Sequence, residues 1–192
     1  MTIDSAGHSI EQNGTDIQCL KEHLRMKIIE LNPVPFPKDL LYTELRQNHV
    51  FINRFAETYF AHPKFSTEDA GKMTVLITSL REIGMESGAA LMEIAQAIQA
   101  KDLYPCPVNT GLFLRLGWKD QPQSSSTVLT GTHSAPDGSV TVLSEILEPD
   151  DAFPKGLYLR NISGRLWLRG YICDSAYRFS GDDLFAFGTR RL

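Results

Sequence analysis

The chain is poor in the features that most quickly assign a protein to a class. No stretch approaches the roughly eighteen uninterrupted apolar residues that a spanning helix needs, so a helical membrane protein is not expected. The opening "MTIDSAGHSIEQNGTDIQ" has neither a basic n-region nor an apolar h-region, which argues against a secretory leader. Cysteines number only 3, at Cys19, Cys106 and Cys173, odd in count and far apart. That usage suits free thiols in a reducing compartment, so a cytoplasmic location is expected. The sequons at Asn13 and Asn161 would then go unused.

Motifs of chemistry are equally scarce. No Walker A or GxGxxG loop offers a phosphate cradle, no CxxC or HExxH offers metal ligands, and no GxSxG elbow offers a nucleophile. Neither a cofactor nor a metal is therefore expected. A broadly basic balance is also missing: the net charge is −4, which argues against a nucleic-acid binder working through a wide electrostatic footprint. The charge is uneven, however. Residues 1–100 carry 9 Lys+Arg against 13 Asp+Glu, and residues 101–192 carry 10 against 10, with Arg the commoner cation of the second half. Arg is weakly hydrated and planar, and so stacks on rings and grips carboxylate or phosphate at two points.

What is present begins with a polar stretch over residues 1–14, read as a flexible tail. From Thr15, the residues Ile17, Leu20, Leu24, Ile28 and Leu31 recur at helical spacing until Pro33, Pro35 and Pro37 end the run. Leu41, Leu45, Phe51, Phe55 and Tyr59 predict a second helix ending before His62-Pro63. Ser66 or Thr67, followed by Glu68 and Asp69, gives the start signal of a third, with Gly84 its stop. Ser87 opens a fourth through about Lys101, rich in small residues.

After "DLYPCPVNTG" the period changes to two. Leu112, Leu114 and Leu116 read as a first strand; Val128 to His133 and Val140 to Leu147 flank the turn "APDGS"; further strands are predicted at 157–161, 165–172 and about 184–190. The expected fold is α+β: about four helices in the N-terminal half, then a small antiparallel sheet or barrel of five to six strands. The expected division is a tail (1–14), a helical domain (15–104), a Pro-containing linker (105–110) and an antiparallel β domain (111–192), with a core shared between the two parts left open.

The sharpest feature is a phrase written three times: "LFLR" at 112–115, "LYLR" at 157–160 and "LWLR" at 166–169. Between the last two lies "NISG". A turn centred on Ser163-Gly164 would oppose Arg160 to Trp167 and Tyr158 to Arg169, whereas a four-residue loop would oppose Tyr158 to Trp167. Either register puts leucines on one side and Tyr158, Arg160, Trp167, Arg169 and Tyr171 on the other. Phe113 and Arg115 extend that surface if the first strand joins the same sheet. A stabilised outer face accounts for such a pattern, each cross-strand pair contributing about 0.2–1 kcal/mol. The functional alternative is a partner platform, because aromatics and Arg are enriched at binding hot spots.

Other candidates carry less. "SLREIGMESGAALMEIAQAI" has the outline of a helix-turn-helix, but its second helix would open on Gly88-Ala89-Ala90 and offer no Arg, Asn or Gln to base edges. Cys106 lies between prolines as in a minimal haem-regulatory pair, and a linker explains it as well. His133, Ser134 and Asp137 cluster beside a predicted turn, where neighbours rarely reach triad geometry. Asp150-Asp151 and Asp182-Asp183 read as solvated loop acids. The leading expectation is a non-enzymatic intracellular protein of accessory or regulatory kind that binds a protein partner through the Arg–aromatic face. Single-stranded nucleic-acid binding by an OB-like β domain, with Arg165 added to the same residues, is the second reading. An enzyme with a site at the junction of the two parts is the third.

Overall fold

The computed structural model describes residues 26–126 and 135–189. Strands come first and helices are threaded among them. β1 (Met26–Leu31) precedes α1 (Leu41–Gln47), β2 (Val50–Ile52), α2 (Arg54–Ala61), β3 (Met73–Ser79), β4 (Ala89–Ala90), α3 (Leu91–Ala97) and β5 (Leu103–Tyr104). Then follow α4 (Thr110–Gly117), β6 (Val140–Val142), β7 (Gly156–Ile162), β8 (Arg165–Tyr171), β9 (Arg178–Phe179) and β10 (Leu184–Thr189). Eight strands form one sheet in the order β1-β3-β10-β6-β7-β8-β2, with β5 beside β10, while β4 and β9 make a separate two-stranded pair.

This architecture overturns the expectation of N-terminal helices followed by a small antiparallel sheet. The sheet is large and mixed, since β10 runs parallel to β6 and β2 parallel to β8. It draws on both halves of the chain, with β1, β2 and β3 from the first and the rest from the second. Local reasons accompany each difference. Residues 26–31, expected to close a helix, form strand β1; residues 1–25 lie outside the description. The second expected helix is split because His49 takes a positive φ of 52°, and "VFI" pairs with β8 before Asn53 restarts the helix. The third is strand β3: the Ser66 hydroxyl does accept from the amides of Glu68 and Asp69, but it caps a turn, and the β-branched "MTVLITS" then runs extended. The strand expected at Leu112–Leu116 is helix α4. Its residues Thr110 to Arg115 are all buried, and Leu112, Leu114 and Leu116 alternate within it, so a helix carries the period-two pattern of a strand. The expected strand at 128–133 lies outside the described residues apart from its flanks.

Period two sorts the sheet into two faces. Val75, Ile77, Ala186, Val140, Val142, Leu157, Leu159 and Leu168 point to one side, where Leu41 and Leu45 of α1, Ala56, Tyr59 and Phe60 of α2, and Leu112 and Leu114 of α4 complete a core. Phe185 and Phe187 point to the other, under Leu91 and Ile94 of α3 together with Leu80, Ile83 and Phe179. Each Val, Leu, Ile or Phe among them contributes roughly 1.5–3 kcal/mol on burial, so both layers matter to stability.

One polar contact fixes β8 against α2. The Asn53 Oδ1 caps the helix by accepting from the Ala56 amide at 3.0 Å and also accepts from the Gly170 amide at 2.8 Å. Its Nδ2 donates to the Gly170 carbonyl at 3.0 Å. Only glycine fits there: a Cβ at residue 170 would stand 2.5 Å from the Phe55 carbonyl carbon.

Candidate functional site

The β7–β8 hairpin turns on Ser163 (φ 52°) and Gly164 (φ 75°), both left-handed, as a two-residue hairpin turn requires. That turn sets the register. Ile162 opposes Arg165, Arg160 opposes Trp167, Leu159 opposes Leu168 and Tyr158 opposes Arg169. β2 adds Phe51 directly beside Trp167. The face opposite the leucines therefore carries Phe51, Arg165, Trp167, Arg169, Arg160 and Tyr158 side by side.

Rings and guanidinium groups alternate along it. Phe51 and Trp167 have centroids 5.2 Å apart. Arg165 sits 5.6 Å from the Phe51 centroid and Arg169 5.2 Å from that of Trp167. The Arg169 Nε donates to the Tyr158 hydroxyl at 2.8 Å, and burial pushes that phenol above its ordinary pKa while the Arg169 charge opposes the rise. Phe51 is 43% exposed and Trp167 half-buried, whereas Arg169 and Tyr158 each retain only 7%.

Arg160 is fully buried, and what covers it comes from far away in sequence. Its Nε donates to the Ser124 hydroxyl (3.0 Å) and the Asp137 carbonyl (2.9 Å), and its Nη2 to the Ser126 carbonyl (2.7 Å). The Asp137 carboxylate accepts from the amides of Ser125 and Ser126 and from the Ser125 hydroxyl, clasping residues 121–126 to 135–138. Burial lowers the Arg160 pKa, Tyr158 and Asp137 work against that shift, and the neighbouring Arg169 charge adds to it. The chain itself thus closes the inner part of the face and leaves the outer part, at β2 and β8, open.

The remaining expected residues lie elsewhere. Tyr171 shares the face but is half-buried in the second core, 6.3 Å from the Phe179 ring. Phe113 and Arg115 belong to α4 rather than to the sheet: Phe113 meets Phe36 edge-on, and fully buried Arg115 donates to the Gln121 side chain and the Trp118 carbonyl. Burial brings the Arg115 pKa down to about 10, partly offset by Asp120. Phe51 escaped the sequence reading because its spacing from Leu45 and Phe55 counted it into a helix; the aromatic and β-branched "VFI" before a capping Asn was the available signal.

Several groups that could serve in catalysis are engaged in structure. Asp137 binds serines as described, while His133 and Ser134 lie outside the described residues. Asp151 pairs with Lys155 at 3.6 Å and Asp182 with Arg81 at 3.0 Å. A pair absent from the sequence reading, His62 and Glu148, meets at 2.8 Å. The His62 Nδ1 accepts from the Lys64 amide at 3.1 Å, so Nε2 holds the proton that faces Glu148, and no ring nitrogen is left to act as a base. The Cys106 thiol is sealed in the core and pushed up to about 12 by burial, and Cys173 to about 11. Among the described residues, no group of three or more His, Cys, Asp or Glu is placed to hold a metal, and no helix is long and apolar enough to cross a membrane. No family model, curated protein or solved structure matches the chain.

Proposed function

We propose that the chain is a non-enzymatic intracellular protein that binds a protein partner through the open strip Phe51–Arg165–Trp167, with the buried Arg169 at its inner end. The observation that carries this reading is the exposed Phe51 ring packed at a tilt against Trp167 and flanked by two guanidinium groups, neither of which has an ion-pair partner among the described residues. Aromatics and Arg together are the composition of binding hot spots, and the neighbouring buried residues hold them in place. The overall charge of −4 and the lack of Lys on the strip favour a protein over a nucleic acid.

The test uses exposed positions, so that the fold is left intact. Phe51→Ser should abolish affinity capture of the partner that the wild-type chain retains, a loss of about 2 kcal/mol or more, typical of an aromatic hot spot. Val34→Ser, at another exposed apolar side chain, should leave capture unchanged. Equal capture by all three proteins would remove the strip from consideration.

A further inference from the structure

We propose that Arg169 is the anion-recognising residue of this strip, and that the partner presents a carboxylate to it from an extended acidic segment; this rests on the protein-binding reading above. Arg169 is more than nine-tenths buried, yet only its Nε is engaged, by the Tyr158 hydroxyl. Its two terminal nitrogens have no hydrogen-bond partner among the described residues and are not sealed from solvent. A guanidinium so deeply placed is costly to leave without a counter-ion. The Trp167 ring braces the cation at 5.2 Å, so the terminal nitrogens are held in place before any ligand arrives.

Tyr158 sharpens the assignment. Its oxygen accepts from Arg169, which leaves its own proton to be donated, and it has no acceptor for that proton among the described residues. The four N–H donors of the terminal nitrogens offer a carboxylate a two-point contact, while Tyr158, bound on the Nε side of the guanidinium, orients it for that contact. Arg160, diagonal to Arg169 across the β7–β8 ladder, adds positive charge behind the same place. A polyphosphate backbone would need a track of open cations along the strip, whereas among the described residues its open part carries the single cation Arg165, on the far side of the rings. One anchored anion with flanking rings fits an acidic side chain between apolar ones.

The probes are an acetylated, amidated hexapeptide alternating Phe and Glu, its Phe–Gln counterpart, and an oligothymidylate. Binding is followed by the indole N–H signal of Trp167 and the Nε–H signal of Arg169. The Phe–Glu peptide should bind about tenfold tighter than the Phe–Gln peptide, as expected when a charge-assisted contact replaces a neutral one. Arg169→Gln should bring the two peptides level, and Tyr158→Phe should weaken the Phe–Glu peptide alone. Should Arg169→Gln fail to fold, Arg169→Lys replaces it and should narrow the preference by losing the two-point contact. A Phe–Glu preference that survives loss of Arg169 overturns the carboxylate seat while leaving the strip standing. Absence of any Trp167 response to either peptide overturns both, and tighter binding of the oligothymidylate overturns the protein partner in favour of nucleic acid.

Discussion

Burial pushes the Asp183 carboxyl upward, from 3.8 to about 6, against the pull of the Ser180 amide at 2.8 Å and with help from Asp182. A carboxyl whose folded pKa is raised binds its proton more tightly in the native state. Its contribution to stability is therefore full below 3.8 and is lost as pH rises through about 6. Asp183→Asn keeps an acceptor for the Ser180 amide and removes the titration. In urea unfolding the variant should match the wild type in acid and exceed it by about 1–2 kcal/mol at neutral pH, after allowing for partial solvent exposure of the group. At this scale the sequence was partly legible: hairpin parity put Tyr158, Arg160, Trp167 and Arg169 on one face, and the ladder has them so. The burial of Arg160 was not legible, because its cover comes from residues 121–126 and 135–138, which no local pattern ties to β7.

Between elements, Asn53 serves helix and strand at once. Asn53→Ala removes the cap of α2 and leaves the Gly170 amide and carbonyl without partners, an expected loss of about 2–3 kcal/mol. Gly170→Ala forces a methyl into the backbone of Phe55 and Ala56 and should cost about 3 kcal/mol or more, because backbone cannot step aside as a side chain can. Both changes open the same seam, so in denaturant titrations the double variant should lose less than the sum of the singles. Elements were read well where alternation and a turn residue coincided. The strands predicted at 157–161, 165–172 and about 184–190 are Gly156–Ile162, Arg165–Tyr171 and Leu184–Thr189. They were misread where leucines alternate inside a buried helix, as in α4, or where a long window bridged a short strand, as in β2 lodged between α1 and α2.

For the whole molecule the decisive pairing is the one that periodicity never encodes. β10 lies between β3 and β6 and touches β5 as well, so the last strand among the described residues joins pieces that come much earlier in the sequence. Phe185 and Phe187 fill one core while Ala186 enters the other. A chain truncated after Asp182 should lose cooperative thermal unfolding altogether rather than shift its midpoint, as circular dichroism at a β-sheet wavelength would read. A chain still able to melt in one sharp transition would mean that the rest of the sheet closes without β10. The same position has a bearing on the order of folding. Without residues 184–189 the sheet falls into a two-stranded piece, β1 with β3, and a four-stranded piece, β6 to β2, each with a raw edge facing the gap. Docking of β10 is therefore the step that closes both edges at once, and any delay in it leaves two strand edges open to pairing with another chain.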